Sequence, residues 1–188
     1  MSRFVLALLL AFLTPLAAAP TWTVQELFET LARQRPERAT FQEKKYLALL
    51  DRPAESSGVL RFTPPARLEK RTTAPRAESV VADGDVVTLE RNGKRYAMSL
   101  SEQPAVGVLI ESIRATLAGD LGALTRAYAV ALEGTPAAWR LLLRPLDNAV
   151  SPLVSRIEIS GTQGAVREVQ IFQADGDRSV MTIAPSPP

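Results

Sequence analysis

The chain has 188 residues, with 22 lysines and arginines against 20 aspartates and glutamates, a formal net charge of +2, and neither histidine nor cysteine. This composition excludes Ser-His-Asp and Cys-His catalysis, disulfide bonds, and zinc sites built from histidine or cysteine. The nearly balanced charge lacks the strong positive field that a nucleic-acid-binding protein needs.

Residues 1–19 have the pattern of a secretory signal peptide. Arg3 supplies a positive charge, an apolar run follows, and small residues suit cleavage after Ala18 or Ala19. The apolar run has about ten residues, too few for a bilayer span that needs about 20. No cysteine follows it, so the protein is not expected to be a lipoprotein itself. We therefore predict export to the periplasm, with residues 20–188 forming a single domain.

The first element predicted after the signal peptide is an amphipathic helix. Thr23 and Glu26 have the spacing of a capping box, which satisfies backbone donors at a helix start. Pro36 is expected to end the helix. An apolar stripe at helical spacing is formed by Val24, Leu27, Phe28 and Leu31.

Six strands separated by turns are predicted next. Their ranges are 39–50, 58–63, 67–73, 79–82, 86–91 and 94–99. Asp83-Gly84-Asp85 and Asn92-Gly93 mark tight turns, and Asn-Gly is a strong hairpin signal because a type I′ turn needs positive φ at both central residues. Successive hairpins indicate an antiparallel meander.

A second helix interrupts the strands. Ser101 is its predicted cap, Pro104 suits its first turn, and Gly119 ends it. Its apolar stripe is Val106, Leu109, Ile110, Ile113 and Leu117. A short helical turn is predicted over residues 120–126. Five further strands are predicted at 128–132, 138–144, 154–160, 165–173 and 178–183.

This order of elements predicts an α+β domain. One helix leads, six strands follow, a second helix interrupts, and five strands close the chain. A single strongly curved antiparallel sheet with helices covering one face accounts for that order.

Several different short motifs lie along the chain: Phe-Gln-Glu at 41–43, Ser-x-Gly-x-Leu-x-Phe at 56–62, Pro-x-x-Leu at 65–68, Asp-Gly at 83–84, Trp-x-Leu-x-Leu-x-Pro at 139–145 and Asp-Gly-Asp at 175–177. Together they resemble the LolA family of periplasmic lipoprotein carriers, particularly its divergent LolA-like branch. The resemblance implies an incomplete β-barrel, lidded by helices over an apolar cavity. It also implies a carrier that shields lipid from water.

One position departs from the family pattern. Typical members have an arginine just before the proline that ends the second strand, and this arginine latches the lid to the helices. This chain has Pro64 there, which offers neither a charge nor a hydrogen-bond donor. Two alternatives follow: Arg61 or Arg67 replaces the latch, or the lid closes by apolar packing alone.

The resemblance implies that apolar side chains of the helices and of the concave sheet face bind the ligand. The candidate lining residues are Leu27, Leu31, Leu60, Phe62, Leu68, Leu89, Leu109, Ile110, Ile113, Leu141, Leu143, Ile157 and Ile159. Their periodicity is equally typical of side chains that fill an ordinary packed core, so that alternative stays open.

A local excess of positive charge predicts a partner contact at Arg61, Arg67, Lys70 and Arg71, although a solvated sheet face explains the same pattern. The implied partners are a lipid or the acyl chains of a lipoprotein, an inner-membrane releasing complex and an outer-membrane acceptor. The protein itself is expected to be a monomer that binds no nucleic acid. No cofactor and no metal are expected.

Functional alternatives remain open from the sequence. The first hypothesis is a carrier that transfers lipoprotein acyl chains from the inner to the outer membrane, with a non-protein acyl or polyene-type lipid as alternative cargo. The second is a non-catalytic envelope interaction module. The nearest catalytic candidates are Glu43, which is followed by two lysines, and the carboxylates that flank Gly84 and Gly176. Turn propensity explains the carboxylates around the glycines, and an enzyme is not expected.

Overall fold

The computed structural model describes residues 22–34 and 38–186. Its helices are α1 (Val24–Arg33), α2 (Pro104–Ala118) and α3 (Leu121–Ala127), and none of the helices in this part of the chain is long and apolar enough to cross a membrane. Its strands are β1 (Arg38–Tyr46), β2 (Ala54–Thr63), β3 (Arg67–Ala74), β4 (Glu78–Asp83), β5 (Val86–Arg91), β6 (Lys94–Ser99), β7 (Tyr128–Thr135), β8 (Ala138–Pro145), β9 (Arg156–Thr162), β10 (Ala165–Phe172) and β11 (Arg178–Pro185). The predicted signal peptide and Pro36 lie outside the described residues.

All of these strands join one antiparallel sheet in the order β6-β5-β4-β3-β2-β1-β11-β10-β9-β8-β7. β1 links the two halves of the sheet by pairing with β2 on one side and with β11 on the other. β6 and β7 are the two edges and do not pair with each other, so the curved sheet is not closed. The predicted α+β fold with an incomplete barrel is confirmed.

The start of α1 follows from local sequence. The Thr23 hydroxyl accepts a hydrogen bond from the Glu26 N–H at 3.2 Å, and the Glu26 carboxylate accepts one from the Thr23 N–H at 2.8 Å. The predicted capping box is therefore confirmed. One side of the helix is buried through Leu27, Phe28 and Leu31.

The start of α2 differs from the prediction. The residue that precedes the helix is Gln103, whose side chain makes no capping hydrogen bond, and Pro104 is the first helical residue. Ser101 instead donates its backbone N–H to Asp85 Oδ1 at 3.1 Å, and its hydroxyl lies 2.6 Å from the Ser99 hydroxyl. Ser101 thus fixes the turn after β6, because Asp85 offers an acceptor there.

The first hairpin also differs from its predicted bounds, since β1 ends at Tyr46 and β2 begins at Ala54. The apolar residues that follow Tyr46 form a turn, in which the Leu50 N–H donates to the Leu47 carbonyl at 2.9 Å. Asp177 accepts a hydrogen bond from the Ala48 N–H at 2.7 Å. These contacts take the backbone groups that a longer strand would have used for pairing.

Two apolar clusters form the core. The larger lies beneath α1 and α3 and includes Phe28, Tyr128 and Trp139. The smaller consists of Ala82, Val87 and Leu100, with Val106 and Ile110 of α2 packed against it. α1 and α3 therefore cover one end of the sheet, while α2 extends toward the other end.

The glycine of the Ser-x-Gly motif, Gly58, is required for a steric reason. It lies where the β2–β3 register shifts, and a Cβ at this position would stand 2.0 Å from the Arg71 carbonyl oxygen. We expect Gly58→Ala to lower the free energy of unfolding by about 1–3 kcal/mol, because backbone atoms must move. Urea denaturation followed by circular dichroism measures this loss.

The matched control is Gly122→Ala in α3. The nearest atom to a Cβ there is a side-chain oxygen at 3.4 Å, which is ordinary contact. Alanine also favours a helix more than glycine does. Equal losses of stability in the two variants would contradict this account of Gly58.

Candidate functional site

A cavity of about 500 Å³ lies between α2 and the concave face of the sheet. Its roof is formed by one face of α2, which presents Ile110, Ile113, Thr116 and Leu117. Its walls come from β1 to β4 on one side and from β9 to β11 on the other. The sheet is curved enough that its two halves face the same space. Most of the lining is apolar.

Part of the predicted ligand-binding set lines this cavity, namely Leu60, Phe62, Leu68, Ile110, Ile113 and Ile159. Leu60 and Phe62 are two residues apart on β2, and Leu68 stands opposite Phe62 in the β2–β3 register. Because side chains alternate between the faces of a strand, all three lie on the concave face. This hairpin therefore forms one continuous apolar wall.

The other predicted residues lie away from the cavity. Leu109 packs against the larger core cluster, and Leu89 on β5 is half-buried outside the lining. The remaining residues are at most 2% exposed in the larger cluster: Leu27, Leu31, Leu141, Leu143 and Ile157. They are packed because α1 and α3 fill this end of the sheet.

Residues beyond the predicted set also line the cavity: Val80, Val169, Ile171, Met181 and Ile183. Strand alternation places them on the concave face. Ile183, for example, stands opposite the buried Phe41 in the β1–β11 register. They could have been predicted from the sequence by taking every second residue along each strand, starting from a buried residue.

An ionic group interrupts the concave face beside the cavity. Glu43 is only 5% exposed and accepts hydrogen bonds from Lys70 Nζ at 2.5 Å and from the Ser179 hydroxyl at 2.7 Å. Burial by itself raises the pKa of Glu43. Attraction to Lys70 and the hydrogen bonds from Lys70 and Ser179 outweigh burial, so the pKa lies below its ordinary value. Glu43 is therefore ionised at neutral pH.

The predicted basic cluster is divided between the two faces of the sheet. Arg61, Arg67 and Arg71 are exposed, and the latter two pair with neighbouring carboxylates at 2.8 and 3.0 Å. Lys70 lies on the concave face instead, where it contacts Glu43. The reason is strand alternation, since Lys70 is out of phase with its arginine neighbours.

The closely spaced carboxylates around Gly84 and Gly176 lie in exposed turns and make local hydrogen bonds. Asp85 accepts from the Ser99 hydroxyl at 2.5 Å, and the hydrogen bonds from Ser99 and then Ser101 hold the pKa of Asp85 below its ordinary value, although desolvation acts in the opposite direction. Asp177 accepts from the Ala48 N–H. These contacts give the carboxylates a structural role in the turns.

α2 is held over the cavity by apolar packing and by a hydrogen bond from the sheet. Val106 and Ile110 pack on the smaller core cluster. The Tyr128 hydroxyl, which comes from the first residue of β7, donates to the Val108 carbonyl at 3.1 Å. The helix is thus attached to both halves of the sheet.

These contacts bear on the alternatives raised by Pro64. Arg67 pairs with Asp83 at 2.8 Å. Within residues 22–34 and 38–186, neither Arg61 nor Arg67 makes a hydrogen bond to a helix. The attachment of α2 therefore favours apolar packing over an arginine latch.

Comparison with known proteins gives a family match. A family model described as "Outer membrane lipoprotein carrier protein LolA-like" matches residues 16–185. The chain is 24% identical over 183 residues to an outer-membrane lipoprotein carrier protein of Pseudomonas putida (strain GB-1), an alignment that covers 94% of this chain and 83% of the relative.

Solved structures with a similar arrangement include a LolA superfamily protein from Nitrosomonas europaea, with 11% identity and a TM-score of 0.44 over 87% of this chain and 92% of that one. The lipoprotein LppX from Mycobacterium tuberculosis has 9% identity and a TM-score of 0.44 over 88% of this chain and 96% of that one.

Replacing Tyr128 tests how α2 is held. We expect Tyr128→Phe to lower the free energy of unfolding at pH 7 by about 0.5–1.5 kcal/mol, because the hydrogen bond from the Tyr128 hydroxyl to the Val108 carbonyl is lost. Urea denaturation measures the difference. An unchanged free energy of unfolding would show that packing alone holds the helix.

The same variant predicts a pH dependence. Burial raises the pKa of the Tyr128 hydroxyl to about 12, although a hydrogen bond with Ser112 acts in the opposite direction. In the unfolded chain the hydroxyl ionises near its ordinary pKa of 10.0. Its stabilising effect is therefore complete below pH 10 and is lost as the pH rises toward 12. The difference in unfolding free energy between wild type and Tyr128→Phe should narrow over this range; a constant difference would contradict the assignment.

Proposed function

Because the chain belongs to the LolA-like family of outer-membrane lipoprotein carrier proteins, we propose that it carries a lipid, or the acyl chains of a lipoprotein, across the periplasm from the inner to the outer membrane. The observation that carries this proposal is the apolar cavity beneath α2. Moving an acyl chain into water costs about 0.8 kcal/mol per CH₂, or roughly 12 kcal/mol for a 16-carbon chain. A carrier must offset most of that cost with an apolar site of its own.

The size of the cavity favours one acyl chain as cargo. Its volume of about 500 Å³ is within the range of roughly 300–1,000 Å³ that is common for ligand sites. A site of this size has room for one long acyl chain. A non-protein acyl or polyene-type lipid is therefore a strong candidate beside lipoproteins.

The proposed carrier is a binding protein without catalytic activity or a cofactor. It would receive its cargo from an inner-membrane releasing complex and deliver it to an outer-membrane acceptor. Arg67 and Arg71 are exposed and alternate along β3 with the cavity-lining Leu68 and Lys70, so they lie on the face of the sheet that points away from the cavity. They offer a contact for such partners that leaves the cavity accessible.

Extraction of bound lipid tests the proposal directly. We expect organic extraction of protein purified from periplasm, followed by mass spectrometry, to release an acyl-chain compound in a ratio of about one chain per protein. Several chains linked to a peptide would instead identify a lipoprotein. Finding no apolar compound, together with no uptake of a fluorescent fatty-acyl probe, would reject the carrier function.

Filling the cavity tests where the ligand lies. Val80 is half-buried and lines the cavity, while its neighbour Val81 is half-buried on the other face of the same strand. We expect Val80→Trp to weaken binding of a fluorescent fatty-acyl probe by about tenfold or more, which corresponds to about 1.4 kcal/mol. The matched control Val81→Trp should leave the affinity unchanged. Equal effects in both variants would place the ligand elsewhere.

A further inference from the structure

A cluster of three polar side chains, one each from β1, β3 and β11, lies at the cavity. Glu43, Lys70 and Ser179 converge there, and Lys70 and Ser179 line the cavity. The residues directly opposite Lys70 on the adjacent strands are Leu60 and Val80, which are both apolar. A few placed polar groups in an otherwise apolar ligand cavity commonly fix the orientation of the ligand.

The hydrogen-bonding capacity of Glu43 is taken up by the protein. One carboxylate oxygen accepts from Lys70 Nζ at 2.5 Å and from the Ser56 hydroxyl at 3.3 Å. The other accepts from the Ser179 hydroxyl at 2.7 Å, with Lys45 Nζ at 3.9 Å. Because Glu43 is only 5% exposed, a ligand has no access to it.

The ammonium group of Lys70 has hydrogen-bond donors that the protein does not use. An ammonium group has three N–H donors, and Lys70 gives one of them to Glu43. Within the described parts of the chain, no second acceptor lies within hydrogen-bond distance of its Nζ. The Nζ lies 4.9 Å from the centroid of the Phe41 ring, a cation–π contact that restricts its position. Two donors therefore remain available on the cavity side.

The local charge favours a negatively charged acceptor. Of the charged residues that line the cavity, Arg38, Arg61, Lys70 and Arg167 are basic and Glu69 is acidic, so the local charge stays positive when Glu43 is included. A ligand group that offers only donors, such as an amine, would meet like charge and find no free acceptor on Glu43.

We propose that Lys70 binds a carboxyl oxygen of an acyl ligand whose hydrocarbon chain lies in the cavity beneath α2. This inference rests on the proposed carrier function and adds the chemical group that the ligand presents. A free carboxylate and an ester carbonyl share this acceptor oxygen, and the net positive charge favours the free carboxylate.

Binding of palmitate, methyl palmitate and hexadecane to the purified, delipidated protein tests the inference. The three probes share a long hydrocarbon chain, but hexadecane has no oxygen. We expect palmitate to displace a fluorescent acyl probe at a concentration about tenfold lower than hexadecane does, as for a hydrogen bond to a charged group. If methyl palmitate displaces the acyl probe at the same concentration as palmitate, an ester oxygen is sufficient for binding to Lys70. If it displaces the probe only at the concentration that hexadecane needs, Lys70 binds the free carboxylate.

The double variant Glu43→Gln/Lys70→Met removes the group without leaving a buried unpaired charge. We expect its affinity for palmitate to fall to that for hexadecane, with hexadecane binding unchanged. The matched control Lys44→Met/Glu55→Gln makes the same side-chain changes at an exposed ion pair of 3.1 Å between β1 and β2. This control should keep the preference for palmitate.

The outcomes separate the two proposals. Equal affinity of the wild-type protein for palmitate and hexadecane would overturn the role of Lys70 and leave the carrier function standing, whereas no binding of either would overturn both. Carbon-13 NMR of carboxyl-labelled palmitate gives a measurement that needs no variant. We expect Lys70 to lower the carboxyl pKa of bound palmitate, and an unshifted carboxyl would overturn the inference.

Discussion

In the described part of the chain, three short helices must cover the concave face of an eleven-stranded sheet. At about 1.5 Å of rise per residue, the ten residues of α1 reach about 15 Å and the 15 residues of α2 about 22 Å. α1 and α3 fill the end formed by β7 to β10, where Leu141, Leu143 and Ile157 have no exposed surface. α2 alone extends over the strands from β1 to β4, and the cavity is the space that remains beneath it. The cavity therefore exists because the helices are too short to fill the whole concave face of the sheet.

The middle of the sheet combines this apolar surface with an ionic contact. Burying a carboxylate costs several kcal/mol of hydration, so a buried carboxylate persists only where its hydrogen bonds are complete. Glu43 meets that condition through Lys70 and Ser179, which come from strands on either side of β1. β2 lies between Glu43 and Lys70, and its residue opposite Phe41 is Gly58. Because glycine has no side chain, β2 leaves the space beneath the Lys70 side chain free at this position.

Features set by local sequence could be predicted well, and features set by distant contacts could not. The capping box at Thr23 and the turn at Asn92-Gly93 depend on a few adjacent residues, and both were predicted. Leu60 and Leu141 are similar in sequence terms, since each is an apolar residue on the concave face of a strand. One lines the cavity and the other is packed, because different helices lie over them. Lys70 was grouped with its arginine neighbours by proximity, although alternation along β3 already separates their directions.

The missing contact between β6 and β7 has a mechanical consequence. In a closed barrel, strand number and shear fix the radius, because every backbone hydrogen bond belongs to a complete ring. An open sheet has no such ring, so its two halves can change their coiling while every ladder stays intact. We therefore expect the width of the cavity beneath α2 to change more easily than that of a closed barrel, because no ring of backbone hydrogen bonds has to break.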